Sequence, residues 1–172
     1  MAEILAQVAR IEGLAMITIR ADLTRAGDAL AEATGLPIPG PTGITTDGVR
    51  SLGWMSPDEL LLILPQADKA QAMQSLDQAL TGEHALVADM SDARAVFDVT
   101  GPRADDVIAK LAPVDLPRLA PGTLRRSRAA QTAAAFWRIP GGLRVIGFRS
   151  TADYLGLILS EAARPGTGLA PR

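Results

Sequence analysis

The sequence contains no cysteine and only one histidine. It therefore has no disulfide framework, thiolate nucleophile, zinc knuckle or cysteine-ligated cluster, and a histidine-rich metal site is excluded as well. Aromatic residues make up 3% of the chain, too few for base-stacking platforms, and a net charge of −2 creates no basic field for a phosphate backbone. We expect no nucleic-acid partner.

Long apolar runs are also lacking. No segment approaches the roughly 20 apolar residues of a membrane span. Residues 1–13 have neither the basic start nor the apolar run of a secretory signal. We therefore expect a cytoplasmic protein that does not bind membranes. With 172 residues and 48% hydrophobic residues, the chain can bury a core of aliphatic side chains without a metal or disulfide.

The chain contains an internal repeat. Three landmarks recur at a spacing of 83 residues, namely Trp54 with Trp137, Pro57 with Pro140, and Leu60 with Leu143. Upstream, Ile17 and Ile19 correspond to Phe97 and Val99 at a spacing of 80 residues. The dipeptide Pro39-Gly40 corresponds to Pro121-Gly122 at a spacing of 82. A slowly drifting offset is typical of two copies of one unit with small insertions. We predict two similar lobes related by a pseudo-twofold, with Trp54 superposing on Trp137 and Leu60 on Leu143.

Both copies show the same order of periodicities. In the first, strand alternation over 14–20 is followed by a helical face from Leu23 that Gly35 ends, then a Pro/Gly-rich connection, a hairpin and a second helix. The second copy repeats this order, and residues 150–153 form a capping-box sequence before its last helix. The order predicts an α+β fold of two tandem β-α-β-β-α units (split-βαβ, ferredoxin-like) packed together.

The repeat also predicts the domain boundaries. Five segments follow from it: 1–13 as an N-terminal arm or added strand, 14–82 as the first β-α-β-β-α lobe, 83–94 as a connection, 95–163 as the second lobe, and 164–172 as a loose tail.

Two candidate groups could take part in acid–base chemistry. His84 could act as a general base, or it could be a solvated turn residue. Asp89, Asp92 and Asp98 could serve acid–base work or bind a metal, or they could be the polar face of a strand and a turn. In both cases we favour the structural interpretation.

Three further groups could contact a ligand, and their members are Arg125, Arg126 and Arg128; Trp54 and Trp137; and Gly40, Gly43 and Gly48. The arginines could clamp a carboxylate or phosphate, or guard an exposed strand edge. We interpret the tryptophans as core or inter-lobe anchors, and the glycines lack the strand-loop-helix context of a phosphate site. We therefore predict no catalytic, cofactor-binding or metal-binding residue in this chain.

Residues 89–111 (DMSDARAVFDVTGPRADDVIAKL) resemble the aminomethyltransferase fold of the glycine cleavage system. In that fold a D-x-S stretch leads into a strand, and G-P-x-A opens a helix. Pro121-Gly122, Gln131-Thr132 and the closing FRSTADYL continue the resemblance. The short length and LGWMSPDELLL make residues 10–163 most similar to the gamma-subunit family of heterotetrameric sarcosine oxidases.

This resemblance implies a non-catalytic accessory subunit that docks on an alpha subunit, in a complex that also contains beta and delta subunits. Such a complex oxidatively demethylates sarcosine to glycine with tetrahydrofolate and oxygen. FAD, FMN, NAD and tetrahydrofolate would belong to the partner subunits, and none to this chain. In aminomethyltransferases paired aspartates follow a Gly-Gly turn, whereas Leu143, Arg144 and Val145 follow Gly141-Gly142 here.

Two other functions stay open from the sequence, a stand-alone folate-binding transferase-like protein and a small-molecule-binding regulatory module. For a docking surface, the sequence offers apolar residues that alternate with prolines in the two connections. These residues, which could instead cover their own lobe, are Leu36, Ile38, Ile44, Leu116 and Leu119.

Overall fold

The structure is a computed structural model that describes residues 4–169. Residues 1–3 of the predicted arm and 170–172 of the predicted tail lie outside the described part. The chain divides into two compact units. The first unit is Gly13–Asp92, and the second combines the N-terminal segment up to Glu12 with the chain from Ala93 onward.

Ten strands and four helices make up the described residues. In chain order, the elements as far as Asp92 are β1 (Gln7–Ile11), β2 (Leu14–Arg20), α1 (Leu23–Thr34), β3 (Ile44–Thr46), β4 (Ser51–Ser56), β5 (Glu59–Pro65), α2 (Lys69–Ala79) and β6 (Leu86–Asp89). The elements that follow are β7 (Arg94–Thr100), α3 (Ala104–Leu111), β8 (Arg125–Ala129), β9 (Thr132–Ile139), β10 (Gly142–Phe148) and α4 (Ala152–Ala162).

The first unit is a five-stranded sheet with the order β3-β4-β5-β2-β6, and every neighbouring pair is antiparallel. Its core joins one face of the sheet to the helices, with Ile17 and Leu60 from the strands and Leu30 and Leu76 from α1 and α2. Burial of these aliphatic side chains drives the packing, and the central strands β2 and β5 are buried on both faces along most of their length. Gly35 ends α1 in the left-handed conformation, as its position in the sequence predicts.

The second unit has the same architecture. Its sheet order is β1-β7-β10-β9-β8, again antiparallel throughout. Val99, Val145, Leu155 and Phe136 belong to the core cluster of this unit. Strands β7, β10, β9 and β8 correspond in order to β2, β5, β4 and β3, and β1 lies at the edge that β6 occupies in the first unit. The predicted α+β class with two tandem units is confirmed, whereas the pseudo-twofold between the units stays a prediction.

Three strands lie where the sequence predicts connections. β3 and β8 lie within the predicted Pro-rich connections, and β6 lies within the predicted connection 83–94. Each is an edge strand, and β3 has only three residues. The reason is physical, because β8 (RRSRA) has a polar exterior and therefore shows no apolar alternation. Each unit thus contains five strands instead of three.

Trp54 and Trp137 do not occupy equivalent positions, contrary to the prediction. They lie on corresponding strands, but Leu60 pairs with Trp54, whereas Leu143 pairs with Arg138. A β-bulge between Trp54 and Ser56 adds one residue to β4. A one-residue slip turns a side chain to the other face of a sheet. Trp54 accordingly packs on the helix-side core, and the buried Trp137 lies on the face opposite Phe136.

The Pro-Gly landmark is also wrong. Pro41 and Pro121, which are 80 residues apart, lie second in equivalent turns, and the next residues, Thr42 and Gly122, both have positive φ (58° and 81°). Proline followed by a left-handed residue is the pattern of a type II turn. Alignment of Pro39 with Pro121 therefore missed the true equivalence by two residues.

The predicted capping box at the start of α4 is not formed. Arg149–Thr151 is a 3-10 turn, and no side chain caps the helix. The Thr151 hydroxyl lies 2.8 Å from the Thr132 hydroxyl and donates instead to the Phe148 carbonyl (3.3 Å). The Thr151 hydroxyl is thus engaged by Phe148 and Thr132 and does not cap the helix.

Candidate functional site

The D-x-S stretch has a structural role in the first unit. The Asp89 carboxylate accepts hydrogen bonds from the Ser91 amide (2.9 Å) and hydroxyl (2.5 Å), and from Lys69 Nζ (2.7 Å). The Ser91 Oγ in turn accepts from the buried Met16 amide (3.1 Å). The Lys69 ammonium, followed by Ser91, lowers the pKa of Asp89 to about 2. Asp89 is thus a fixed anion rather than an acid–base group near neutral pH.

Asp98 forms an ion pair across two strands of the second unit. Its carboxylate accepts two hydrogen bonds from Arg144, at 2.7 and 2.8 Å, because the two residues are directly opposite on β7 and β10. Arg144 follows Gly141-Gly142 at the position where the resemblance places the paired aspartates. A bidentate guanidinium–carboxylate pair neutralises both charges there.

Asp92 lies in the 3-10 turn Ser91–Ala93 that closes the first unit. Asp89 and Asp98 are therefore engaged by separate cations in separate units. Within the described residues, no group of three histidine, cysteine, aspartate or glutamate side chains has the arrangement to hold a metal ion.

His84 is exposed beside an open groove of about 840 Å³ in the first unit. Three acids also line this groove, and all have partners, since Glu83 pairs with Arg25 (3.1 Å). The Asp22 side chain caps α1 through Thr24 (3.0 Å), and Asp58 accepts from Ser56 (2.7 Å). These hydrogen bonds lower the pKa of each carboxyl, Thr24 acting on Asp22 and Ser56 on Asp58. His84 therefore lacks the oriented acid that general-base catalysis uses.

Arg138 connects β9 to α3 and to the segment that follows α3 in the second unit. Its guanidinium pairs with Asp105 and donates to the carbonyls of Leu116 (2.8 Å) and Leu119 (3.1 Å). The hydrogen bond to Asp105 raises the pKa of Arg138 further. The side chain thereby fixes the connection between α3 and β8 against the sheet.

The three arginines of β8 lie on the edge of their sheet. Arg125, Arg126 and Arg128 are exposed, and β8 is the terminal strand. This placement agrees with the interpretation as charged guards on a strand edge. Gly40 and Gly43 are followed by strand β3, and Gly48 by strand β4, so no helix begins next to them.

The apolar residues proposed as docking candidates are not on the surface. Leu36, Ile44, Leu116 and Leu119 are buried, and Ile38 packs against the core of the first unit. This part of the prediction is wrong because the connections fold back over their own units. Their leucines complete the two cores, whereas most of their prolines are exposed.

A different set of large apolar side chains is exposed. Its members are Ile4, Val49, Leu86, Phe148, Tyr154, Leu157 and Leu169. Tyr154 and Leu157 are one turn apart on α4. The sequence of α4, ADYLGLILSEA, contains more apolar residues than one buried stripe requires. That excess was the missed signal.

The predicted tail is bonded through its described part. Lys110 donates to the Thr167 carbonyl (2.9 Å), and Arg103 donates to the Leu169 carbonyl (2.8 Å). Burial lowers the pKa of Lys110.

No described helix is long and apolar enough to cross a membrane.

The fold of the chain indicates the class of protein. The whole-chain fold matches that of the glycine cleavage system aminomethyltransferase T from Bartonella henselae, with a TM-score of 0.65 at 14% identity over 90% of this chain and 45% of that one. The fold is therefore aminomethyltransferase-like. Residues 20–164 match the family described as "Sarcosine oxidase, gamma subunit family", and the chain belongs to that family.

Individual relatives agree with this assignment. Sarcosine oxidase subunit gamma from Corynebacterium sp. (strain P-1) is 38% identical over 90 residues, which are 51% of this chain and 43% of the relative. The protein of the same name from Arthrobacter sp. is 33% identical over 114 residues, 64% of this chain and 55% of the relative. The chain thus spans about half the length of these two curated relatives.

A solved structure of the heterotetrameric sarcosine oxidase from Corynebacterium sp. U-96, in complex with pyrrole 2-carboxylate, contains a chain of the same fold. The TM-score is 0.87 at 24% identity, and the match covers 97% of this chain and 88% of that one. This similarity establishes the fold over nearly the whole length of the chain.

Proposed function

We propose that this chain is a non-catalytic accessory (gamma) subunit of a heterotetrameric sarcosine oxidase, docking on the alpha subunit in a complex with beta and delta subunits. Membership of the gamma subunit family over residues 20–164 carries the proposal. The fold shared with a chain of a heterotetrameric sarcosine oxidase supports it.

In this proposal the complex oxidatively demethylates sarcosine to glycine with tetrahydrofolate and oxygen. The partner subunits would bind FAD, FMN, NAD and tetrahydrofolate, and this chain would bind none of them. Support comes from the position after Gly141-Gly142, where Arg144 and Asp98 neutralise each other. A side chain held in such a pair is not free to receive a proton from a substrate.

Co-expression with the alpha, beta and delta chains of its own operon tests the proposal. We expect the four chains to elute together on size exclusion and to oxidise sarcosine. The subunit assignment fails if the other three chains assemble with full activity while this chain elutes alone. The cytoplasmic location also stays a prediction, which fractionation of the native organism would check.

A further inference from the structure

The two C-terminal helices of the units, α2 and α4, are equivalent residue by residue. Both have eleven residues, Lys69–Ala79 and Ala152–Ala162, and the 3-10 turns before them, Gln66–Asp68 and Arg149–Thr151, match as well. All four bounds differ by 83 residues. The chain therefore contains a matched pair of helices in the same architectural setting.

Their inner faces agree, whereas their outer faces differ. Leu76 of α2 corresponds to Leu159 of α4, and both are fully buried. On the outer face, the exposed Gln71 and Gln74 of α2 correspond to Tyr154 and Leu157 of α4. Tyr154 is 39% exposed and Leu157 is 68% exposed.

The fold does not require apolar side chains at these two positions of α4. Glutamine occupies the same positions of α2, is a good helix former and needs no burial. The exposed parts of this tyrosine and leucine, which are one turn apart, give the folded unit no packing contact. The pair forms a small contiguous apolar patch, whereas exposed apolar residues elsewhere on protein surfaces are commonly single.

Polar residues flank the pair. Asp153 and Glu161 are exposed near the two ends of α4, and each lies near an arginine of its own unit (Arg10 at 3.9 Å and Arg164 at 2.9 Å). Ile158, one turn beyond Tyr154, is half-buried and extends the apolar ridge at its base. An apolar centre with a polar rim is the usual anatomy of a protein interface.

We infer that the ridge of Tyr154, Leu157 and Ile158 is the surface with which this chain docks, and that this ridge fits into an apolar groove on a larger subunit. This inference rests on the proposed function and names the contact surface. Anchors at positions i, i+3 and i+4 of one helix are the pattern by which a helix enters a hydrophobic groove. Tyrosine is also enriched among the residues that dominate binding energy.

A second copy of this chain is a poorer partner for the ridge, because the interface would bury too little surface. At their observed exposures, Tyr154 and Leu157 together offer on the order of 200 Å² of surface. A symmetrical pair of such ridges would bury roughly 400 Å², whereas a stable interface buries about 1,200 Å² or more. A groove supplies the missing area because its walls also contact the flanks of the helix.

The test variant exchanges the outer face of α4 for that of α2, as Tyr154→Gln with Leu157→Gln. The control variant, Val49→Gln with Leu86→Gln, removes two exposed apolar residues of the first unit that are 66% and 52% exposed. Each protein is added to the purified assembly of the other three chains, and binding is measured by titration. Circular dichroism and thermal melting check that both variants fold as the wild type does.

We expect the α4 variant to bind at least roughly 25-fold more weakly, since each of the two lost anchors costs about fivefold or more. The control should bind within about twofold of the wild type. Equal binding by the folded α4 variant would overturn the inferred surface and leave the proposed function intact. Failure of the wild type to bind would instead remove the proposed function.

Sedimentation of the isolated chain tests whether the ridge binds a second copy of the same chain. We expect a monomer for both the wild type and the α4 variant. A wild-type dimer that the Tyr154→Gln and Leu157→Gln exchange converts to a monomer would show that the ridge binds another copy of this chain, which also overturns the inference.

Discussion

Asp89 and Ser91 connect three parts of the first unit that are distant in sequence. Through them the end of β6 is bonded to the Met16 amide in β2 and to Lys69 at the start of α2. The D-x-S stretch, which carries part of the resemblance, is therefore a structural motif in this chain. Its chemistry follows from hydrogen bonds that favour the ionised carboxyl.

Replacement of Asp89 by asparagine should reduce stability in a pH-dependent way. The folded-state pKa of about 2 lies below the ordinary value of 3.8, so Asp89 stabilises the fold above about pH 4 and loses this effect as the pH falls toward 2. Because the side chain is 40% exposed, we expect a loss of about 1 kcal/mol or less at pH 7. Thermal melts of the wild type and Asp89→Asn between pH 7 and 2.5 measure the difference.

Asp77→Asn is the matched control, because Asp77 is an exposed aspartate on α2. It should melt as the wild type does throughout this range. The interpretation of Asp89 is refuted if its asparagine variant shows the same deficit at pH 2.5 as at pH 7.

Among the secondary-structure elements, β1 explains the structural role of the G-P-x-A motif at residues 101–104, because the segment before β1 packs against this motif. Gly101 has a φ of 142°, a conformation that is essentially restricted to glycine. A Cβ atom there would lie 3.0 Å from the Ala6 Cα and 3.2 Å from the Leu5 carbonyl oxygen. The Leu5 carbonyl also accepts from the Arg103 amide (3.2 Å). The motif thus provides space and a donor for the segment that leads into β1.

Gly101→Ala should destabilise the second unit more than Gly141→Ala does. Gly141 also has a positive φ (77°), but its Cβ position is open, so this control carries only the backbone cost of about 1 kcal/mol. We expect Gly101→Ala to cost roughly 2 kcal/mol beyond the control, since backbone atoms cannot move aside. Urea unfolding measures both values, and hydrogen exchange of β1 amides should quicken in Gly101→Ala alone. Equal midpoints for the two variants would contradict this account.

For the whole molecule, the fold resembles that of an aminomethyltransferase, and two of its acids are engaged in ion pairs. Arg144 is paired with Asp98, and Asp89 with Lys69. Fold alone does not define an activity, because function resides in the side chains of a site. The apolar ridge on α4 distinguishes the second unit from the first, which has glutamine at the equivalent positions of α2.

We predict that the isolated chain binds no flavin or nicotinamide and has neither oxidase nor aminomethyltransferase activity. The physical reason is the neutralised Arg144–Asp98 pair and the absence of a Gly-rich phosphate loop in the sequence. Absorbance at flavin wavelengths and a sarcosine-dependent peroxide assay measure this, with the four-chain assembly as the positive control. A yellow isolated protein, or peroxide produced by this chain alone, would refute the prediction.

Local patterns in the sequence determined the helices, the central strands and the repeat. Each of these signals is contained within a few neighbouring residues, such as the alternation in β2 or the left-handed Gly35 after α1. The family resemblance likewise depends on short motifs in a fixed order, and the family match confirms it. Residue types alone were sufficient for these conclusions.

Tertiary structure alone decided which edge strands pair, which face Trp54 presents and which apolar residues remain exposed. β1 pairs with β7 through backbone hydrogen bonds, which carry no residue signature, and the bulge before Ser56 changes a register that spacing alone cannot reveal. Leu116 and Leu157 are both leucines in an apolar context, yet one is buried and the other exposed. That difference depends on how the whole unit packs around each side chain, which local sequence does not specify.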